Sequence, residues 1–378
     1  MRDIIQRFRD CRLLVIGDLM IDEYVWGDVD RISPEAPVQV VSVVREDLTL
    51  GGAGNVVNNL RALGAEVAVA GVVGTAADGE RMIAMFTHLE ADCRGVVQEA
   101  ERPTTRKTRI IASNQHVLRV DRETKRGISE TSFERLITFV EDTMPAIDVV
   151  LISDYNKGLV TRDLMARITA AARQNGKFVI VDPKGLDYSK YEGATLLTPN
   201  RKEASLAAGI DIEDSDSLEE AARRIMAATK CEKLLITLGK DGMALFETGH
   251  PVYRIATRAR QVYDVSGAGD TVLSVLGLAL GLGASFQDSI VMANAAAGIV
   301  VGKVGTAPVG IDELTSALTS TGRRFPSKHH PLEELSALVS DLKRRNKKII
   351  LTNGCFDLLH AGHVQLFAAA KELGGFLI

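Results

Sequence analysis

The sequence predicts an α/β protein: a mostly parallel sheet covered by helices on both faces, with a small β projection. Three observations predict it. Short apolar runs alternate with amphipathic stretches over most of the 378 residues, the rhythm of strands joined by helical crossovers and buried on both faces. Glycine-rich turns stand directly before two helical stretches. Two other segments alternate apolar and polar residues with period two, which suits strands with one face in water.

The elements follow in order. Residues 13–16, 67–73, 149–152, 178–181, 195–197 and 234–237 read as strands, and 55–63, 80–89, 131–143, 161–175 and 217–228 as helices. Gly176 closes its helix at the C-cap position, where a left-handed residue is favoured. The apolar run 272–282 is about a dozen residues, short of the ~20 that span a bilayer, so it reads as a buried helix. The period-two segments, 22–26 with 38–44 and 104–119, predict antiparallel strands that make a lid or a dimer surface over about 20–45 and 104–120, an ordinary edge hairpin being the alternative. From 311 to 318 the pattern is helical, and 319–330 is loosened by Ser, Thr, Gly, Pro and basic residues, as a linker would be. A helix (332–345), a strand (348–352), a glycine turn and a helix from about 362 follow. The expected organisation is one domain over 1–320, a linker and helix over 321–346, and an incomplete second domain over 347–378.

Composition narrows the function. Lys and Arg total 45 against 49 Asp and Glu, a net charge of −4, which disfavours nucleic acid or an anionic membrane as partner. Cys11, Cys93, Cys231 and Cys355 stand singly, and residues 1–12 are charged with no apolar leader. Reduced thiols and a cytoplasmic setting are expected.

The strongest motif is Asp264-Val-Ser-Gly-Ala-Gly-Asp270-Thr271, opening the apolar helix. Small residues let backbone N–H groups approach an anion at the positive end of a helix. Asp270, on that first turn, is placed to take a proton from an attacking hydroxyl; helix capping is its alternative role. Gly51-Gly52-Ala-Gly-Asn55 opens an earlier helix, and Asn55 offers a donor and an acceptor to a polyol. Asp18 and Asp22, after the first strand, can bind sugar hydroxyls or simply form turns. In Thr198-Pro-Asn200-Arg-Lys-Glu203, Asn200 caps a helix and Glu203 stands at the spacing of a capping box. Thr237-Leu-Gly239-Lys-Asp-Gly242 leaves backbone open for a nucleotide, or makes a hairpin turn. The phosphate-loop pattern G-x-x-x-x-G-K-[ST], a G-x-G-x-x-G after the first strand, H-E-x-x-H, paired-cysteine zinc spacings and G-x-S-x-G are all absent.

With Gly51–Asn55 early, Asp264–Asp270 late, and Asn200–Glu203 and Thr237–Gly242 in order between them, the four motifs resemble those of the ribokinase-like (PfkB) carbohydrate kinases over about residues 10–320. The resemblance implies a three-layer α/β/α sandwich with a small β lid, often a dimer surface. It implies that Asp270 is the base, that amides of Gly267, Ala268 and Gly269 form the anion hole, and that Asn200 and Glu203 organise Mg²⁺, through water, and the ATP phosphates. Thr237, Gly239, Gly242 and Asn294 would lie near the nucleotide, Gly52 and Asn55 near the sugar. Asp264 and Ser266 are candidates for a monovalent cation such as K⁺.

A narrower resemblance rests on Arg31-Ile-Ser-Pro-Glu-Ala-Pro-Val38, Ser153-Asp-Tyr-Asn-Lys-Gly158 and Asp182-Pro-Lys-Gly185, which look like the kinase half of bifunctional enzymes of ADP-heptose synthesis. Thr352-Asn-Gly-Cys-Phe-Asp-Leu-Leu-His360-Ala-Gly-His363 resembles the opening of a Rossmann-like nucleotidyltransferase domain, whose H-x-G-H histidines bind phosphates. The implied reaction is ATP-dependent phosphorylation of D-glycero-β-D-manno-heptose 7-phosphate at C1. Its existing phosphate needs cations, for which Lys107, Arg106, Arg109 and Lys184 are candidates. Only 31 residues follow Lys347, below the ~40 that fold without staples, so adenylyl transfer by this chain alone is not expected. The rivals are a kinase of another sugar and a nucleotide-binding protein that has lost catalysis.

Overall fold

The computed structural model describes residues 1–112, 115–257, 263–303, 305–319, 332–345, 347–354 and 361–377. It divides into two units, Met1–Thr319 and Ser320–Ile378.

In the first unit a short helix α1 (Arg2–Gln6) precedes the first strand β1 (Arg12–Gly17). The chain runs almost without pause into β2 (Leu19–Ile32) and back along β3 (Gln39–Gly52), then through α2 (Ala53–Ala62), β4 (Glu66–Gly74), α3 (Ala77–His88) and β5 (Asp92–Glu99). The hairpin β6 (Thr105–Ala112) and β7 (Gln115–Arg122) follows, then α4 (Glu130–Thr143), β8 (Val149–Ser153), α5 (Arg162–Gln174), β9 (Phe178–Asp182) and β10 (Leu196–Leu197). Next come α6 (Arg201–Ala208), α7 (Ser215–Thr229), β11 (Lys233–Thr237), β12 (Met243–Glu247), β13 (Tyr253–Ile255), α8 (Ala268–Gly281), α9 (Phe286–Val300) and α10 (Ile311–Thr319).

The main sheet has the order β13-β12-β11-β10-β9-β8-β1-β4-β5. It is parallel from β5 to β11 and ends in the antiparallel pair β12–β13. Both faces are buried. Leu13, Val15, Val149 and Leu151 face one core with Leu273 and Leu276 of α8, while Leu14, Ile16, Val150 and Ile152 face the other with Leu164 and Ile168 of α5. Alternate residues of one strand thus enter opposite cores, which is why these strands read as unbroken apolar runs. The three-layer expectation holds. β5, β12, β13 and α9 go beyond the elements read from sequence. The apolar run of β5 is short, and α9, an alanine-rich helix buried on several sides, lacks the polar stripe that makes a helix legible.

The lid is a four-stranded sheet ordered β3-β2-β6-β7. Its strands are longer than expected, because β2 and β3 stay paired from Leu19↔Gly52 out to Ile32↔Gln39. One pairing differs in direction: β2 and β6 run parallel, Met20 opposite Thr105. The chain between them passes through β4 and β5 of the main sheet and re-enters the lid at the same end as β2.

In the second unit, helix α11 (Leu332–Arg344) is followed by β14 (Ile349–Ile350), α12 (Ala361–Glu372) and β15 (Phe376–Leu377), and the two strands pair in parallel. Most of the expected linker and His360 lie outside the described residues. Among the described residues, no helix is long and apolar enough to cross a membrane.

Candidate active site

Asp18, Asp154, Asp182, Thr198 and Thr237 stand at or just beyond the carboxyl ends of β1, β8, β9, β10 and β11. β1 lies between β8 and β4, where the chain order reverses, and crevices at such switch points are where open α/β sheets bind ligands.

Helix α8 points its amino end into this region. Gly267, its N-cap, has φ +75°, and an added Cβ would stand 2.9 Å from Asn55 Nδ2, so glycine is required on both counts. The cap has no side-chain partner. Ala268 N–H is used by Val265 O (3.3 Å), whereas the Gly267 and Gly269 amides have no partner among the described residues. Of the three amides expected to face an anion, that of Ala268 closes the turn instead.

Asp270 is 3% exposed. Its Oδ2 accepts from Asn55 Nδ2 (2.7 Å) and its Oδ1 from the Tyr155 hydroxyl (3.1 Å). Burial pushes its pKa up to about 6, against the two hydrogen bonds and Lys107, with Asp22 adding to the rise. A carboxylate so poised can accept a hydroxyl proton near neutral pH. Because a carboxylate only accepts, Asn55 must turn its amide nitrogen to Asp270, which leaves a buried Oδ1 with no partner among the described residues. That acceptor suits a sugar hydroxyl.

The lid side holds the other sugar candidates. At Gly51 a Cβ would fall 2.4 Å from Asp22 Oδ2, so glycine lets that carboxylate lie against the strand. Asp22 is ion-paired with Arg109 (2.5 Å). Arg106 is committed to Glu23 and Asp78. Lys107 has no ion-pair partner among the described residues; its ammonium lies 5.5 Å from the centre of the Tyr155 ring, and burial pulls its pKa below the ordinary lysine value. Of the three candidate cations on β6, Arg106, Lys107 and Arg109, it is the one without an ion-pair partner among the described residues. Asp18 is not open to a sugar hydroxyl on Oδ2, which accepts from the amides of Tyr155 (2.8 Å) and Lys157 (3.0 Å); it fastens the loop after β8 instead.

Beyond Asp270 a cavity of about 730 Å³ is lined by Asp154, Tyr155, Asp182, Lys184, Asn200, Glu203, Thr237, Gly239, Gly242, Gly267 to Asp270 and Asn294. Asn200 and Glu203 form the capping box of α6, each side chain accepting the other's amide at 3.0 Å. The second Glu203 oxygen takes Lys184 Nζ. Lys184 therefore stands with Asn200 and Glu203 and not beside the lid cations, because the turn after β9 faces α6. Thr237 and Gly242 flank the β11–β12 hairpin, closed by Leu238 N–H to Gly242 O (2.7 Å), with Gly239 at left-handed φ +61°. Asn294 lines the same cavity and donates to Ala256 O (2.8 Å). Asp264 accepts the Ser266 and Gly305 amides (2.8 and 3.1 Å) and so anchors the turn before α8.

Sequence reading gave no roles to Tyr155, Asp154 or Asp182, although the motifs at 153–158 and 182–185 contain them. Burial, with Glu203 and Asp270 as like-charged neighbours, holds Asp182 well above the usual carboxylate range. Asp154, Asp182, Glu203 and Asp270 all line the cavity. Among the described residues no group of three or more His, Cys, Asp or Glu side chains could hold a metal ion by itself.

The profile of the pfkB family carbohydrate kinases matches residues 11–313. The chain is 54% identical over 371 residues to the bifunctional protein HldE of Desulfatibacillum aliphaticivorans, covering 98% of this chain and 76% of that protein. It is 48% identical to HldE of Syntrophotalea carbinolica, covering 100% and 77%. Among solved structures, Escherichia coli phosphofructokinase-2 in complex with potassium superposes with TM-score 0.69 at 19% identity, over 83% of this chain and 99% of that one. Arabidopsis thaliana ribokinase complexed with ribose and ATP gives TM-score 0.65 at 21% identity, over 82% and 98%. At such identities the structural likeness shows the shared fold.

Proposed function

Because the chain belongs to the pfkB family of carbohydrate kinases, we propose that it transfers the γ-phosphoryl group of ATP to C1 of D-glycero-β-D-manno-heptose 7-phosphate. The observation that carries the chemistry is Asp270, buried at the start of α8 between an acceptor-side amide and a nucleotide-sized cavity. The similarity to HldE proteins over the whole chain supports the sugar.

In this reading the C1 hydroxyl sits against Asp270 and Asn55 Oδ1, and Asp270 takes its proton as the oxygen attacks the γ-phosphorus and the bond to the bridging oxygen breaks, releasing ADP. The amides of Gly267 and Gly269, with the positive end of α8, stabilise the charge spread over the transferring phosphoryl oxygens. Asn200 and Glu203 would hold Mg²⁺ through water, and Lys184 lies close enough to share the phosphates. Bound there, Mg²⁺ supplies neutralisation of the polyphosphate charge.

The substrate's own phosphate is assigned to Lys107. Lys107→Glu is expected to raise KM for the heptose phosphate by about tenfold or more, from loss of a charge-assisted bond and a new repulsion, with KM for ATP little changed. Equal effects on both KM values would remove Lys107 from the acceptor site. A panel of phosphorylated and free sugars with ATP and Mg²⁺, scored by NMR for C1 phosphorylation, tests the whole reading. Preference for a different sugar would keep the chemistry and replace the acceptor; turnover of none would favour a catalytically silent nucleotide binder.

The lid exposes the large apolar side chains Ile32, Val38, Val43, Val44, Val117, Leu118 and Val120, which supports a homodimer through the lid. Sedimentation of the wild type as a monomer would overturn that. The parallel β14–β15 pair around α12, with His363 on the first turn of that helix, supports a nucleotidyltransferase-like element. Free Cys11, Cys93 and Cys231 fit a reducing cytoplasmic setting.

A further inference from the structure

Tyr155 has no role in the reaction as drawn, yet it touches both halves of the acceptor side. Its hydroxyl donates to Asp270 Oδ1 (3.1 Å), and its ring lies beneath the Lys107 ammonium, 5.5 Å from nitrogen to ring centre. The backbone that carries it is pinned at three consecutive amides: Tyr155 and Lys157 donate to Asp18 (2.8 and 3.0 Å), and Asn156 donates to Asp154 (2.6 Å). Asn156 is left-handed, φ +56°, the sharp bend that brings both neighbouring amides onto one carboxylate. The ring is therefore placed by buried acids at the ends of β1 and β8.

A carboxylate held through one oxygen can still rotate about its terminal bond. Asn55 holds only Oδ2 of Asp270, and Tyr155 supplies the second restraint. Burial and the neighbouring charges of Asp270, Asp182 and Asp22 push the Tyr155 pKa well above the ordinary tyrosine value, so its hydroxyl stays a donor. The groups that bear electrostatically on this pair are Asp22 from β2, paired with Arg109, Lys107 from β6, and Asp182 from β9.

We propose that Tyr155 is a positioning residue that fixes the orientation of the Asp270 carboxylate through its hydroxyl and seats the Lys107 ammonium on its ring, tying the base to the acceptor's anionic group. The inference rests on the preceding reading of Asp270 as the base.

Steady-state kinetics with D-glycero-β-D-manno-heptose 7-phosphate and MgATP across pH, on wild type, Tyr155→Phe, Tyr155→Leu and Asp270→Asn, test it. Tyr155→Phe keeps the ring and loses one charge-assisted hydrogen bond; kcat is expected to fall about tenfold to a hundredfold. The heptose KM should stay within about twofold. The acid limb of kcat/KM should move to higher pH, because the Asp270 anion has lost a donor. Tyr155→Leu should add a rise in heptose KM with KM for ATP unchanged. Tyr155→Phe with wild-type kcat and pH profile would overturn the proposal, as would a Tyr155→Leu enzyme whose heptose KM matches that of Tyr155→Phe. An inactive wild type or an active Asp270→Asn enzyme would instead sink the preceding reading, and this one with it. Thermal melts and calorimetric ATP binding confirm that each variant is folded.

Discussion

Asp270→Asn is expected to reduce kcat by about 10²- to 10⁴-fold, the usual contribution of a positioned general base, without loss of fold. The amide keeps the shape of the carboxylate. Its oxygen can accept from Asn55, and its NH₂ can turn to the Tyr155 hydroxyl oxygen, so neither partner is stranded. Stability at neutral pH should be unchanged or higher. The sign follows from the pKa: burial lifts Asp270 to about 6, above its unfolded value of ~3.9. The folded state therefore binds protons more tightly, and this group's contribution to stability is present below about 4 and lost as pH rises through about 6. Replacing the charge with an amide removes that cost. In the wild type, kcat/KM should rise with pH through about 6 as the base ionises. Wild-type turnover by Asp270→Asn, measured by coupled ADP release, would remove the residue from the mechanism.

The largest stability effect is expected at Asp154→Ala, a loss of about 3–5 kcal/mol, the cost of breaking a buried ion pair from one side. Asp154 is 2% exposed. It accepts from Lys190 Nζ (2.5 Å), the Tyr191 hydroxyl (2.7 Å) and the Asn156 amide (2.6 Å). Truncation leaves a mostly buried ammonium facing an apolar methyl. Urea denaturation followed by circular dichroism measures it; a midpoint equal to wild type would show the network to be dispensable. A second readout separates this from simple loss of packing. Burial, with Asp154 as a charged neighbour, raises the Asp18 pKa to about 6. Asp18 thus favours the folded state below about 4 and loses that contribution as pH rises through about 6. Without Asp154 this part of the pH dependence should flatten.

The two glycine turns and the carboxylate behind them were legible because backbone chemistry writes itself into sequence: the left-handed φ of Gly267 favours glycine and a Cβ there would meet Asn55, and an added Cβ at Gly51 would meet Asp22. The strands at the middle of the sheet were legible because burial on both faces leaves them no polar residues. Tyr155 was not, since its partner Asp270 is 115 residues away and a tyrosine in a loop has no periodicity to betray it. The pairing of Lys184 with Glu203 was not legible for a similar reason. A cation next to a sugar-kinase motif suggests a substrate phosphate, but the turn that follows β9 faces α6, and that is a tertiary fact. Asn200 and Glu203 show the opposite case, a local spacing read correctly as a capping box whose members also face the cavity.

The hydrogen bond between Asn55 and Asp270 closes over 215 residues. During synthesis at ~5–20 residues per second, Asn55 leaves the ribosome about 10–40 s before the carboxylate it must meet. β1 has already acquired β4 on one side while its other edge waits for β8. Asn55 and the lid are thus synthesised early, and the carboxylate proposed as the base follows only with α8. A nascent chain released between Arg122 and Asp270 would carry the lid strands, Gly51, Gly52 and Asn55, and lack the carboxylate proposed to take the proton.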